Sequence, residues 1–220
     1  MIRSMLRPLA AVLVTGVLAG YWGGAAAQDA SLCTVEIFGD SIMGGNGSPE
    51  TPSMTLQRIR PNLQIVADHA VAGMSLRALA TFFPYVTLTA HYVIIENGVI
   101  DAWDGLNINT VMYEYAAMVK KVRNEGRVPV LTGFSHQAFG GDLGYPQLWR
   151  RDFYDTVIQA VANNASVAFA DWGSVPFFGE VDLLDFVHPN KGYSDRLIGR
   201  LAMTLDPLIT NCTAVLVPPA

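Results

Sequence analysis

Two short clusters near opposite ends of the chain hold the residue types that acyl transfer needs. Gly39-Asp40-Ser41-Ile42-Met43 places a serine just after an apolar run, and Asp185-Phe186-Val187-His188-Pro189 sets an acid three residues before an imidazole. A serine hydroxyl is a weak nucleophile until a base within hydrogen-bond reach takes its proton, and imidazole titrates in a suitable range. The imidazole needs a carboxylate to hold its tautomer and stabilise its charged form. Ser41 as nucleophile, His188 as base and Asp185 as orienting acid are the candidate catalytic set. Plainer readings exist for each: Gly-Asp-Ser is good turn chemistry, Asp40 suits a loop-organising acceptor, and His188 could cap a helix whose first position Pro189 would fill.

Residues so far apart in sequence meet only if the elements between them bring them to one rim. Apolar, β-branched runs at 34–38, 62–67, 92–95, 128–131 and 167–170 predict five strands. Helical spacing separates them. Val111, Tyr115, Met118 and Val122 share one face, as do Phe153, Val157 and Val161, and then Leu197, Leu201 and Leu205. Gly126 stops one helix in the manner of a C′ glycine. Strand and helix in alternation predict a single α/β domain of three α/β/α layers around a five-stranded parallel sheet. Such sheets carry their chemistry in loops beyond the carboxyl ends of the strands.

With these blocks in this order, the chain resembles the SGNH (GDSL) hydrolase family over nearly all of 34–206. The Gly-Asp-Ser block and the Asp-x-x-His-Pro block match, while Ala72-Gly73-Met74-Ser75 and Gly98-Val99-Ile100-Asp101 resemble the two blocks between them. The resemblance implies a flavodoxin-like fold, a Ser-His-Asp triad and an oxyanion hole using the N–H groups of Ser41 and Gly73. One departure stands out. Family members usually carry asparagine where this chain has Ile100, and isoleucine has no donor to offer. Asn97 is the nearest substitute, although strand alternation turns it away from the face used by Gly98 and Ile100. Its plainer role is capping or loop hydrogen bonding, and Asp101 reads as an N-cap or turn residue.

Ser135 and His136 leave the fourth strand toward the same rim and are candidates for lining a substrate pocket; Gln137 breaks the nucleophile-elbow pattern there. His69 and His91 read as structural. Trp103, Phe139, Tyr145 and Trp149 could offer ring surface to a sugar or acyl chain, or could simply pack. No phosphate loop, dinucleotide fingerprint or H-E-x-x-H spacing occurs, so neither cofactor nor metal is expected.

The chain has 220 residues, 51% of them hydrophobic and 15% charged, which excludes disorder and leaves ample core for one domain. It carries 14 Lys plus Arg against 19 Asp plus Glu, a net charge of −5 without a basic run, so a nucleic-acid partner is not expected. Arg3 and Arg7, an apolar stretch and Ala25-Ala26-Ala27 describe a secretory signal peptide over residues 1–27, ahead of a hydrolase domain at 28–220. An uncleaved anchor is the alternative, because no charge appears between Pro8 and Gln28. Export predicts a secreted or periplasmic protein, a monomer without stable membrane insertion once the leader is removed. Cys33 and Cys212, an even pair in an exported chain, suggest a disulfide, with two buried thiols as the alternative.

The expected function is hydrolysis of a carboxylic ester, on a small molecule, an acylated glycan or a lipid. Transfer of the acyl group to a sugar hydroxyl would use the same acyl-enzyme. A catalytically weak binding protein on this fold is the reading that Ile100 keeps open.

Overall fold

The structure is a computed structural model that describes residues 33–212; the leader expected over 1–27 lies outside the described residues. The strands are β1 (Thr34–Gly39), β2 (Gln64–Ala70), β3 (Tyr92–Ile95), β4 (Val128–Thr132) and β5 (Ala168–Ala170). They form one parallel sheet in the order β2-β1-β3-β4-β5. Parallel neighbours need crossovers, and the helices supply them: α1 (Pro52–Ile59), α2 (Leu76–Phe82), α3 (Val99–Asp104), α4 (Ile108–Asn124), α5 (Tyr145–Ala165) and α6 (Lys191–Leu205).

Alternation along the strands divides the core into two layers. Val35, Ile37, Tyr92, Ile94 and Val130 pack with Leu56 of α1 and with Tyr193, Leu197, Leu201 and Leu205 of α6. Phe38, Val93, Ile95 and Leu131 face the other way, onto α2, α3, α4 and α5. The chain leaves β1 for β2 on one side and returns to β3 on the other. That reversal opens a crevice above the end of β1, where doubly wound sheets bind their ligands.

The strand pattern was legible, with shifted limits. β2 runs to Ala70 rather than stopping at Ala67, because at the sheet's edge polar residues can alternate with half-buried ones. His69 belongs to this extension: it stacks on Phe38 and its Nε2 lies 2.8 Å from Glu36, a structural placement. Gly126, at φ +71, closes α4 with the N–H of Arg127 on the Val122 carbonyl and its own N–H on that of Arg123, a Schellman ending.

Two expectations need correction. α5 buries Tyr154, Ile158, Val161 and Ala162, whereas Phe153 is 44% exposed. The helix has apolar residues on two faces, so periodicity alone chose the wrong register. Pro189 does not begin α6; Asn190 caps that helix by accepting the Tyr193 N–H, and Pro189 bridges back to Leu183 one residue earlier. At the far end of the sheet from the crevice, Cys33 and Cys212 form a disulfide with Cα atoms 5.5 Å apart.

Candidate active site

Ser41 sits in the turn that leaves β1. Gly39 makes that turn possible: a Cβ there would stand 2.4 Å from Met43 Cβ and 2.9 Å from Glu96 Oε2. Asp40 folds the turn through its Oδ1, which accepts the Ile42 N–H at 2.8 Å, while its carbonyl accepts the Gly44 N–H. The loop-organising role read for Asp40 is therefore its geometry.

The second cluster is held as tightly. Asp185 Oδ1 accepts the backbone N–H of both Val187 and His188 at 2.7 Å, tying the loop onto the acid. Leu184 N–H to the His188 carbonyl and Asn190 N–H to the Asp182 carbonyl close the loop at its base. Asp185 Oδ2 lies 2.8 Å from His188 Nδ1, and His188 Nε2 lies 3.0 Å from Ser41 Oγ. With Nδ1–H donated to the carboxylate, Nε2 keeps its lone pair for the serine hydroxyl. Partial burial pushes the Asp185 carboxyl up, but the bonds from the His188 ring and from two backbone N–H groups outweigh it and leave the acid below its ordinary range. Asn46 Nδ2 also approaches His188 Nε2, at 3.4 Å; nothing in the sequence pattern marked this residue.

Gly73 has φ +77, a conformation that favours glycine, and open space where a Cβ would project. Among the described residues, neither its N–H nor that of Ser41 has a hydrogen-bond acceptor. Ile100 lies in the first turn of α3 and packs against the α2–α4–α5 layer. Asp101 caps a helix, though not its own: its carboxylate accepts the Leu76 N–H at 2.5 Å and the Arg77 N–H at 3.4 Å, fixing the start of α2.

Asn97 and the Ser135–His136 pair do not join the relay. Asn97 is fully buried and neither atom of its side-chain amide has a partner; a surface that a water molecule cannot touch is not offered to an oxyanion in the crevice. Ser135 is 1% exposed, and its hydroxyl is held by Gln137. Both His136 nitrogens are engaged, Nδ1 with Arg151 and Nε2 with the Gly173 carbonyl, each at 2.8 Å. Burial and the nearby Arg151 guanidinium hold its pKa down. Through these bonds the pair anchors α5 to the sheet.

A residue that the sequence reading passed over lies against the turn that carries Ser41. Glu96, 1% exposed at the end of β3, accepts the Asp40 N–H through Oε2 at 3.1 Å. Its signal was an acid following four apolar residues in a strand buried on both faces.

Residues 37–193 match the GDSL-like lipase/acylhydrolase family, and the chain belongs to that family of hydrolases. The structure of TesA shares the fold, with 22% identity and a TM-score of 0.65 over 80% of this chain and 99% of that one. The psychrotrophic esterase EstA from Pseudoalteromonas sp. superposes with a TM-score of 0.63 at 17% identity, covering 81% and 100% of the two chains. The acetyl xylan esterase AlAXEase gives 0.66 at 14% identity over 78% and 99%. At these identities the likeness is one of fold. No curated protein matches the chain in sequence.

Proposed function

We propose that this chain is an exported serine esterase that cleaves carboxylic esters through an acyl-enzyme. The observation that carries the reading is the unbroken relay from Asp185 through His188 to Ser41, with contacts of 2.8 and 3.0 Å. Ser41 Oγ attacks the acyl carbon as His188 Nε2 takes its proton. The carbonyl oxygen becomes an oxyanion that accepts hydrogen bonds from the free N–H groups of Ser41 and Gly73. Collapse of that intermediate breaks the ester C–O bond, and the proton on Nε2 passes to the departing alkoxide. Water, deprotonated by the same nitrogen, then attacks the acyl-serine and releases the acid, restoring Ser41.

The leader over 1–27, removed on export to leave 28–220, and the disulfide support a secreted or periplasmic location. Among the described residues no helix is long and apolar enough to cross a membrane. The esterases among proteins of like fold support an ester substrate, and the chain is expected to act as a monomer. A weak-binding reading rests on Ile100 alone. Loss of one oxyanion donor typically costs about 10²–10³ in turnover, which slows an esterase without abolishing it. Hydrolysis of p-nitrophenyl acetate, butyrate and palmitate by wild type and Ser41→Ala tests the proposal. Turnover confined to the wild type supports it, and equal rates in the two proteins contradict it.

A further inference from the structure

The outer face of α5 is out of character for a surface helix, which normally turns polar residues to water. Tyr145, Trp149 and Phe153 follow one another at intervals of four and are 74%, 66% and 44% exposed. Each step advances about 6 Å along the helix. Trp149 and Phe153 have ring centroids 5.7 Å apart and planes parallel to within 3°. Phe139, 55% exposed, stacks on Tyr145 at 4.9 Å and extends the line past the start of the helix.

At its Phe139 end the line adjoins, along the chain, a cavity that Asp185 helps to wall. Next to Phe139, Gly140 lines a cavity of about 450 Å³ whose walls include Trp103, Asp104, Asp142, Gln147 and Asp185. Asp185 is thus both a wall of this cavity and the acid end of the relay. Gly140 seats the loop against Phe186, where a Cβ would fall 2.2 Å from that ring. An exposed run of four rings is not ordinary surface.

The local charge says what kind of ligand suits it. Asp104, Asp142 and Asp185 wall the cavity, and Asp152 lies on α5 just before Phe153. The two arginines of this part of α5 are already engaged, Arg150 on the Trp103 carbonyl and Arg151 with Asp152 and His136. Anionic headgroups and uronate chains are repelled by such a surface. A neutral sugar presents C–H faces that pack on aromatic rings and hydroxyls that donate to carboxylates and to the Gln147 amide.

We propose that Phe139, Tyr145, Trp149 and Phe153 form an extended subsite for a neutral glycan chain, which delivers an ester carried on that chain to Ser41. The delivery step rests on the esterase reading above; the binding step does not.

Two measurements separate them. Hydrolysis of partially O-acetylated neutral β-1,4-linked glucan, xylan and mannan hexasaccharides is compared with hydrolysis of the matching acetylated monosaccharides, in wild type and in Tyr145→Ala/Trp149→Ala. The ratio of kcat/KM, hexasaccharide over monosaccharide, should fall at least tenfold in the double variant for at least one glycan, through KM. Tyr113→Ala, at an exposed ring of α4, should leave the ratio where it was. Binding of the unacetylated hexasaccharides to Ser41→Ala, read by tryptophan fluorescence and calorimetry, should be lost when Tyr145→Ala/Trp149→Ala is added.

An unchanged ratio together with unchanged binding overturns the proposal. So does wild-type binding to phosphatidylcholine–phosphatidylglycerol vesicles in place of the glycans, or a wild-type dimer that the double variant splits. If the wild type hydrolyses no ester at all, the esterase reading fails, and glycan binding by the Ser41→Ala protein still decides the subsite.

Discussion

The Glu96 carboxyl holds the backbone N–H of Asp40 at 3.1 Å, immediately before Ser41 in the chain, and both acids are sealed from water. Burial pushes the Asp40 carboxyl up to about 6, against the lowering effect of the Ile42 N–H. Burial and the neighbouring Asp40 charge push Glu96 well above the ordinary range. Asp40 Oδ2, the carboxyl oxygen that the turn does not use, has no hydrogen-bond partner. Two buried acids, tied through the Asp40 N–H, thus underlie the turn that carries Ser41.

Glu96→Gln keeps an acceptor for the Asp40 N–H. It should hold kcat within about fivefold of wild type. Glu96→Ala strands the Asp40 N–H, which typically costs about 1–3 kcal/mol for an unpaired buried group. It should lower kcat much more than KM and lower Tm as well. Steady-state kinetics and thermal unfolding of the two variants check this, and equal behaviour of Gln and Ala would show that the pair does not position Ser41.

Ile100→Asn adds a side-chain donor at the start of α3. If Ser41 and Gly73 leave the oxyanion one donor short, kcat should rise by up to about 10², with some stability lost because Ile100 packs on the α2–α4–α5 layer. No gain in kcat for p-nitrophenyl acetate would mean that the two backbone N–H groups suffice.

The disulfide closes the described chain at the end of the sheet away from Ser41, across a separation of 179 residues. Cys33→Ser/Cys212→Ser should lower unfolding free energy by about 2–4 kcal/mol and leave kcat within about twofold. Urea unfolding and ester turnover on the same preparation check the two halves of that statement.

Asp155 gives a pH signature. Burial pushes its carboxyl up to about 6, against the Phe134 N–H that it accepts at 2.6 Å. A raised pKa means that the native state holds the proton more tightly than the unfolded chain does. The stabilisation is complete below about pH 4 and is lost as pH rises through 6. Asp155→Asn keeps an acceptor and removes the titration. Its stability relative to wild type should climb between pH 4 and 7, by on the order of 3 kcal/mol, and then level off. A flat difference across that range would contradict the assignment.

The architecture was readable, and with it the meeting of Ser41, His188 and Asp185, because each depends on local chemistry: β-branched runs between helical periods, and motif residues at strand ends. What could not be read depends on contacts across the fold. His136 sits next to Ser135 at the expected rim, yet Arg151, fifteen residues later, reaches back from α5 and claims it. Asn97 differs from a working donor only in being buried. Glu96 takes its meaning from Asp40, 56 residues away. The register of α5 misled because Phe153 looks like core in a list of residues, and it faces water.

The central claim is that the Ser41 hydroxyl is activated by His188, and reaction with a fluorophosphonate probe tests it most directly. Folded wild type should take up one equivalent, located on Ser41 by mass spectrometry, while Ser41→Ala takes up none and His188→Ala reacts at least a hundredfold more slowly. A folded wild type that stays unlabelled, or a label that survives Ser41→Ala, would contradict the account.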